Sequence, residues 1–369
     1  MISALTRLLL TKVNNGFGYF YGYDLAKGKP IEPIYCEITG YGLSLHSFLS
    51  ILSDSKHRDL VRGLSKFLVS ACSRSSALVL PYGFYVSKNQ WSSLVYSFDN
   101  GVIAKGFFDA YRVLSDAVLL ERGLGICEWL VSVMQSDNGA FRAAYNYEKG
   151  VFTDFDEWYG DNGCLHGKLA IPLLVGWRLS GDSRFRESVE KLLSWLLRLQ
   201  LADGGFRAKE GADYVFHHAH CYALEGLLYA WHVLRDDRYL NAVVRGAEWL
   251  ARVQFRNGGI PDFYPSSFVR RLATDATAQA VRIWLALYKI LCEDKWLKLA
   301  ERGLGFLGSA VFRGGRWRGA LPAYVYSLGP LRRAVPRVHT WSMMFAIQAF
   351  TMYENLGKLS PSDIIEYLF

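Results

Sequence analysis

GDSRFRESVEKLLSWLLRLQLADGGF, residues 181–206, decides the fold. A Gly-Asp break opens it, apolar positions recur at i, i+3, i+4 and i+7 with charges between them, and a Gln leads into Asp-Gly-Gly-Phe, whose glycines supply the left-handed turn that ends a helix. The same grammar returns in LLERGLGICEWLVSVMQ from Leu119, DDRYLNAVVRGAEWLARVQFRNGG from Asp236 and WLKLAERGLGFLGSAV from Trp296. These amphipathic stretches read as outer helices. Trp129, Trp195, Trp249 and Trp296 fall at matching places in them, which predicts a shared packing role.

A more apolar partner precedes each outer helix. These partners start near Thr39, Asp99, Asp161, His218 and Thr274, with a sixth near Val338, at intervals of 60, 62, 57, 56 and 64 residues. Such a period suits a pair of helices plus connections. Stretches such as AIPLLVGWRL and CYALEGLLYAWHVL are apolar nearly all round, as enclosed inner helices must be. No strand-rich segment of any length is expected. Six inner helices need six outer ones, and MISALTRLLLTKV at the start fills the missing place. The reading is all-α: one (α/α)6 toroid spanning 1–369, closed by the N-terminal helix.

The 369 residues are 51% hydrophobic, 15% aromatic and 21% charged, which excludes a disordered, collagen-like or disulfide-scaffold chain. The net charge of +8 points to an anionic partner. Between Arg302 and Tyr353 there is no Asp or Glu, while Arg302, Arg313, Arg316, Arg318, Arg332, Arg333 and Arg337 lie there. Guanidinium forks suit carboxylate or phosphate. The basic residues are not interleaved along a nucleic-acid module, so no nucleic acid is expected. Cys36, Cys72, Cys127, Cys164, Cys221 and Cys292 are scattered without a CxxC pair and read as reduced. No window suits a membrane helix and the first residues lack a signal-peptide core, so a cytoplasmic protein is expected. Oligomeric state is left open.

The strings at 181–206, at 236–264 and HAHCYALEGLLYAW at 218–231 resemble the α/α-toroid superfamily: six-hairpin glycosidases, uronate hydrolases and lyases, sugar epimerases, terpene cyclases and prenyltransferase β subunits. The resemblance covers nearly the whole chain and is nearest to toroid proteins associated with surface-polysaccharide biosynthesis. No DxDD acid motif of the terpene cyclases occurs. Cys164 and His166 with His217, His218, His220 and Cys221 echo the zinc set of prenyltransferases and lanthionine cyclases only incompletely. No metal or other cofactor is called for.

Inner helices that all start at one end of a ring bring their first turns to one mouth. That predicts Glu37, Asp99, His166, His220, Tyr222 and Asp275 as catalytic groups, since carboxylates and imidazoles move protons at sugar carbons. Asp99 is the leading acid, because its context SFDNG resembles the acidic helix start of family members. Tyr41, Trp158, Tyr159, His218, Glu225, Tyr264, Arg271, Arg337, His339 and Trp341 are predicted to bind substrate, the rings by stacking and the arginines by holding an anion. Glu225, seven residues after His218, is expected to share its pocket. Asp99, Asp161 and Asp275 also suit plain helix capping. The resemblance implies a glycoside hydrolase, lyase or epimerase for an acidic or lipid-linked oligosaccharide, with a noncatalytic glycan-binding protein or a zinc-dependent prenyltransferase-like enzyme as alternatives.

Overall fold

A computed structural model of the chain describes residues 2–52, 55–72, 78–266, 270–328 and 331–369. Six inner helices, α2 (Cys36–Leu52), α4 (Ser97–Leu114), α6 (Ala170–Ser180), α8 (His217–Leu234), α10 (Thr274–Leu291) and α12 (Thr340–Glu354), touch in turn around a ring. The last packs back onto the first. Behind them stand α3 (Ser55–Cys72), α5 (Ala117–Trp129), α7 (Ser183–Arg198), α9 (Asp237–Val253) and α11 (Asp294–Ala310). The sixth outer place, behind α12, is filled by α1 (Ile2–Leu8) and its π-turn continuation Leu9–Val13. This is the (α/α)6 toroid expected from the repeat. A short helix, α13 (Pro361–Glu366), packs across α8 and α10.

Burial follows the two hydrophobic patterns. In α2 every residue from Cys36 to Leu49 is buried, whereas α7 buries one stripe, Phe185, Val189, Leu192, Leu193, Trp195 and Leu196. Trp129, Trp195, Trp249 and Trp296 are all buried, as their matching positions predicted. The breaks between paired helices also have one cause. Ser115, Gly181 and Arg235 take left-handed φ and donate their N–H to the carbonyl four residues back. Asp116, Asp182 and Asp236 then cap the next helix by accepting the N–H two residues on, each cap contributing about 1 kcal/mol.

The Gln-to-Gly-Gly close stitches one outer helix to the next. Gln135, Gln200 and Gln254 donate their amides to Gly139, Gly204 and Gly258, and also to the carbonyls of Ser188, Ala242 and Leu299 on the following outer helix. Gly204 has φ +99°, and a Cβ there would lie 2.4 Å from the Arg245 carbonyl oxygen. Only glycine fits that approach.

Short antiparallel strands, unforeseen in the sequence, build the mouth. One sheet, ordered β14-β1-β2-β3-β4, joins β1 (Phe20–Asp24), β2 (Lys29–Tyr35), β3 (Gly83–Tyr85) and β4 (Gln90–Trp91) to β14 (Arg337–His339). A second, ordered β13-β12-β11-β9, contains β9 (Ile260–Pro261), β11 (Arg270–Ala273), β12 (Tyr324–Leu328) and β13 (Leu331–Ala334). Strands of two to seven residues are too short for an alternating pattern to register. Pairing of β1 with β14, Gly22 opposite His339, ties the ring shut. Among the described residues no helix is long and apolar enough to cross a membrane. All six cysteines are free thiols.

Candidate active site

A cavity of about 450 Å³ opens at the inner-helix N-termini. The predicted residues Glu37, Asp99, His166, Trp158, Tyr159, His218, Tyr222, Arg271, Asp275, His339 and Trp341 line it, drawn from every inner-helix start. Tyr21, Tyr35, Tyr82, Tyr96, Phe98, Phe216, Phe263 and Tyr324 complete the wall and escaped the sequence reading. Several stand one or two residues before a helix start, as in IYCE and VYSFD, where an aromatic followed by a polar first turn was the available signal.

Glu37 and Asp99 form a carboxyl pair on neighbouring helices. Glu37 is the second residue of α2, inside the helix where the sequence placed it just outside, and Asp99 is in the first turn of α4. Asp99 does not cap its helix: its Oδ2 is buried with no hydrogen-bond partner among the described residues. Burial, then the nearby Glu37 charge, push its pKa well above the usual carboxylate range. Burial raises Glu37 to about 7, with the Tyr35 hydroxyl, Lys168 and Tyr41 favouring its anion. The Tyr35 hydroxyl serves both carboxyls. Burial thus makes Asp99 hold its proton more tightly than an ordinary carboxyl, while Glu37 is divided between acid and base near neutral pH.

Across the cavity lies an imidazole wall. His218 donates Nδ1–H to Gln279 Oε1 at 2.6 Å, which leaves Nε2 as an acceptor, and its ring lies 4.5 Å from that of Tyr222. Its Nδ1 is 3.9 Å from Asp275, which also accepts the Trp341 indole N–H at 2.9 Å. His339 stacks on Trp341 at 4.2 Å, its Nδ1 without a hydrogen-bond partner among the described residues. Burial lowers His218 and takes His339 to about 4, so both rings are neutral at pH 7. Burial takes His166 to about 3, and its Nδ1 likewise has no hydrogen-bond partner among the described residues. Arg271 ion-pairs with Asp262 and lies over the Tyr324 ring at 4.6 Å, the one predicted arginine on the cavity wall.

Five predicted residues lie elsewhere. His220 turns away from the cavity: Nδ1 accepts the Phe206 N–H at 3.1 Å and Nε2 donates to the Gly246 carbonyl at 3.2 Å. It holds two loops, so His220→Ala leaves both backbone groups buried without a partner and costs about 1–3 kcal/mol in urea unfolding, with activity retained in the folded fraction. Tyr41 is below the floor, hydrogen-bonded to the Tyr222 hydroxyl at 2.9 Å. Glu225 is deeper still, clamped between Lys168 and Arg282 at 2.5 Å each, and does not share the pocket of His218. Tyr264 is 48% exposed against Trp249, and Arg337 is exposed at the rim on β14. Asp161 precedes the 3-10 turn Cys164–Leu169 that leads into α6, and accepts the Ala143 N–H instead of capping. The zinc echo does not converge either, since backbone groups engage both His220 nitrogens and the Cys221 thiol faces the Ala276 carbonyl at 3.9 Å.

Fold and cavity together define an (α/α)6 toroid with a polar and aromatic pocket at its helix N-termini. Its likeness to solved toroids spans nearly the whole chain. Cellobiose 2-epimerase from Spirochaeta thermophila superposes with a TM-score of 0.74 at 14% identity, covering 94% of this chain and 95% of the other. The unsaturated glucuronyl hydrolase of Bacillus sp. GL1 gives 0.69 and 14%, covering 96% and 94%. An α-mannanase of Bacteroides thetaiotaomicron gives 0.71 and 12%, covering 97% and 96%. Residues 217–270 match the Pectic acid lyase family. No curated protein matches the sequence.

Proposed function

We propose that this chain, acting as one catalytic unit, hydrolyses a glycosidic bond in an acidic or lipid-linked oligosaccharide, with Asp99 as general acid and Glu37 as general base. The observation that carries the reading is the buried carboxyl pair on one cavity wall, Asp99 with an unpartnered oxygen among the described residues and a raised pKa, Glu37 near its midpoint at neutral pH. Asp99 donates its proton to the leaving oxygen as the carbon–oxygen bond breaks, and Glu37 takes a proton from the water that attacks the anomeric carbon. Trp158, Tyr159 and Trp341 supply stacking faces for sugar rings, and Arg271 and the ring of helix N-termini supply the anion site. The sugar substrates named for the similar toroids support this class of reaction. Six free thiols fit a reducing compartment, and polysaccharide assembly in the cytoplasm is the setting we propose.

Epimerisation is the second reading, favoured by the neutral His218 Nε2 and His339 on the facing wall, which could exchange a carbon-bound proton. One experiment separates the two. Neutral, uronate-containing and phosphorylated oligosaccharides are incubated with the protein in water enriched in deuterium and oxygen-18, then weighed by mass spectrometry. Oxygen-18 at a new reducing end is the expected result. Deuterium on carbon in an intact chain would replace hydrolysis by epimerisation, and an unsaturated fragment by β-elimination. Return of every sugar unlabelled, with binding retained, would make the chain a noncatalytic glycan-binding protein.

A further inference from the structure

We infer that the sheet beside the mouth carries a binding track for a polyuronate chain, running from Arg271 across Tyr326 to Arg333, so that the substrate extends about two sugars beyond the cavity. The inference deepens the reading of the cavity as a site for an acidic oligosaccharide and rests on it.

Register places the three side chains in one row. Arg271 on β11 pairs with Tyr326 on β12, and Tyr326 pairs with Arg333 on β13. Directly opposed residues share a face of an antiparallel sheet. The inner end of the row is the cavity wall, where Arg271 lies over Tyr324 and bonds the Tyr326 hydroxyl. Leu272 and Val325, opposed on the other face, are buried. The row therefore occupies the open side, and β13 is the edge strand, so it leads out of the ring.

The chemistry along the row suits alternating contacts with a charged glycan. Two strand spacings of about 4.8 Å separate Arg271 from Arg333, roughly the length of two extended pyranose units. Arg333 is exposed and has no ion-pair partner among the described residues, and the acid-free run from Arg302 to Tyr353 leaves no carboxylate of its own to compete. The Arg333 guanidinium can fork a uronate carboxylate, while Arg271, already held by Asp262 through Nε and Nη2, adds charge and a further N–H at the inner end. Between them Tyr326, 39% exposed, offers a ring face for the sugar that lies between the two charges.

The test is calorimetric titration of Asp99→Asn protein, which prevents turnover, with digalacturonate, hexagalacturonate and cellohexaose. The hexauronate should bind about tenfold tighter than the diuronate, with a steeper salt dependence. Arg333→Ala should erase that gain while leaving diuronate affinity and all cellohexaose binding unchanged, and Tyr326→Ala, which also removes the hydroxyl that Arg271 bonds, should reduce it. Equal affinity for the two uronates, equal loss of both in Arg333→Ala, or no binding of either overturns the track. Failure of catalysis reads out separately: a hexauronate that binds with Arg333 dependence and is returned intact by the wild-type chain removes the hydrolase reading and leaves the track. Cleavage without length dependence does the reverse.

Discussion

Asp99→Asn is expected to lose turnover by about 10²–10⁴-fold while the protein becomes more stable at pH 8. The amide has the shape of the carboxyl but no proton to give, and the unpartnered Oδ2 leaves room for it. The gain in stability has its own sign. A carboxyl whose folded pKa is raised stabilises the folded state fully only below its unfolded pKa, and that contribution is lost as pH rises toward the folded value. Asp99 is such a group, so the wild type loses this contribution as pH rises above about 4 and the variant does not. Urea unfolding of both proteins at pH 4 and pH 8 should show the curves separating only at the higher pH. For activity, the acid limb of the wild-type pH profile should fall near 7, where Glu37 gains its proton, and Glu37→Gln should abolish that limb along with most of the rate. A fully active Asp99→Asn would end the role assigned to this carboxyl.

Glu225→Gln should cost about 3–5 kcal/mol of stability. Glu225 is fully buried between Lys168 and Arg282, and Arg282 also reaches Gln348 and the Phe369 carbonyl. Removing the one anion leaves two cations facing each other out of water. The loss should be largest at low pH and ease as Lys168 gives up its proton, since burial already lowers that group to about 8, partly offset by Glu225. Lys168→Met, which leaves a neutral Glu225–Arg282 pair, should cost clearly less. Denaturant midpoints for the two variants between pH 6 and 9 check the ordering, and equal losses would mean that charge is not what this cluster contributes.

Helical phase explains which site residues were legible in the sequence. His218 and Tyr222 are four apart on α8 and share a face, and both line the cavity. His220, two residues on, turns by about 200° toward the outer layer, so three histidines crowded at one start cannot all serve one pocket. Glu225 keeps the face of His218 but lies about 10 Å further down the axis, beneath the floor formed by Tyr222. The helix starts could be read because every repeat returns to the same end of the ring. Tyr21 and Tyr82 could not, because they sit on or beside short strands whose placement depends on distant pairing, and Tyr35 and Tyr96 offered only their place just before a helix start. Lys168 was hidden for another reason: within CLHGKL it looks like the polar end of a turn, and only the facing Glu225 makes its burial tolerable.

The strand pairing that shuts the ring also fixes when the pocket can exist during synthesis. Tyr21 on β1 meets His339 and Trp341 edge-on, at 5.8 and 5.0 Å, across more than 300 residues of intervening sequence. A ribosome-bound chain carrying the first five hairpins has Glu37 and Asp99 but not that wall. Competence thus arrives with the last hairpin, and a prematurely terminated chain is left with an open crescent in place of a pocket.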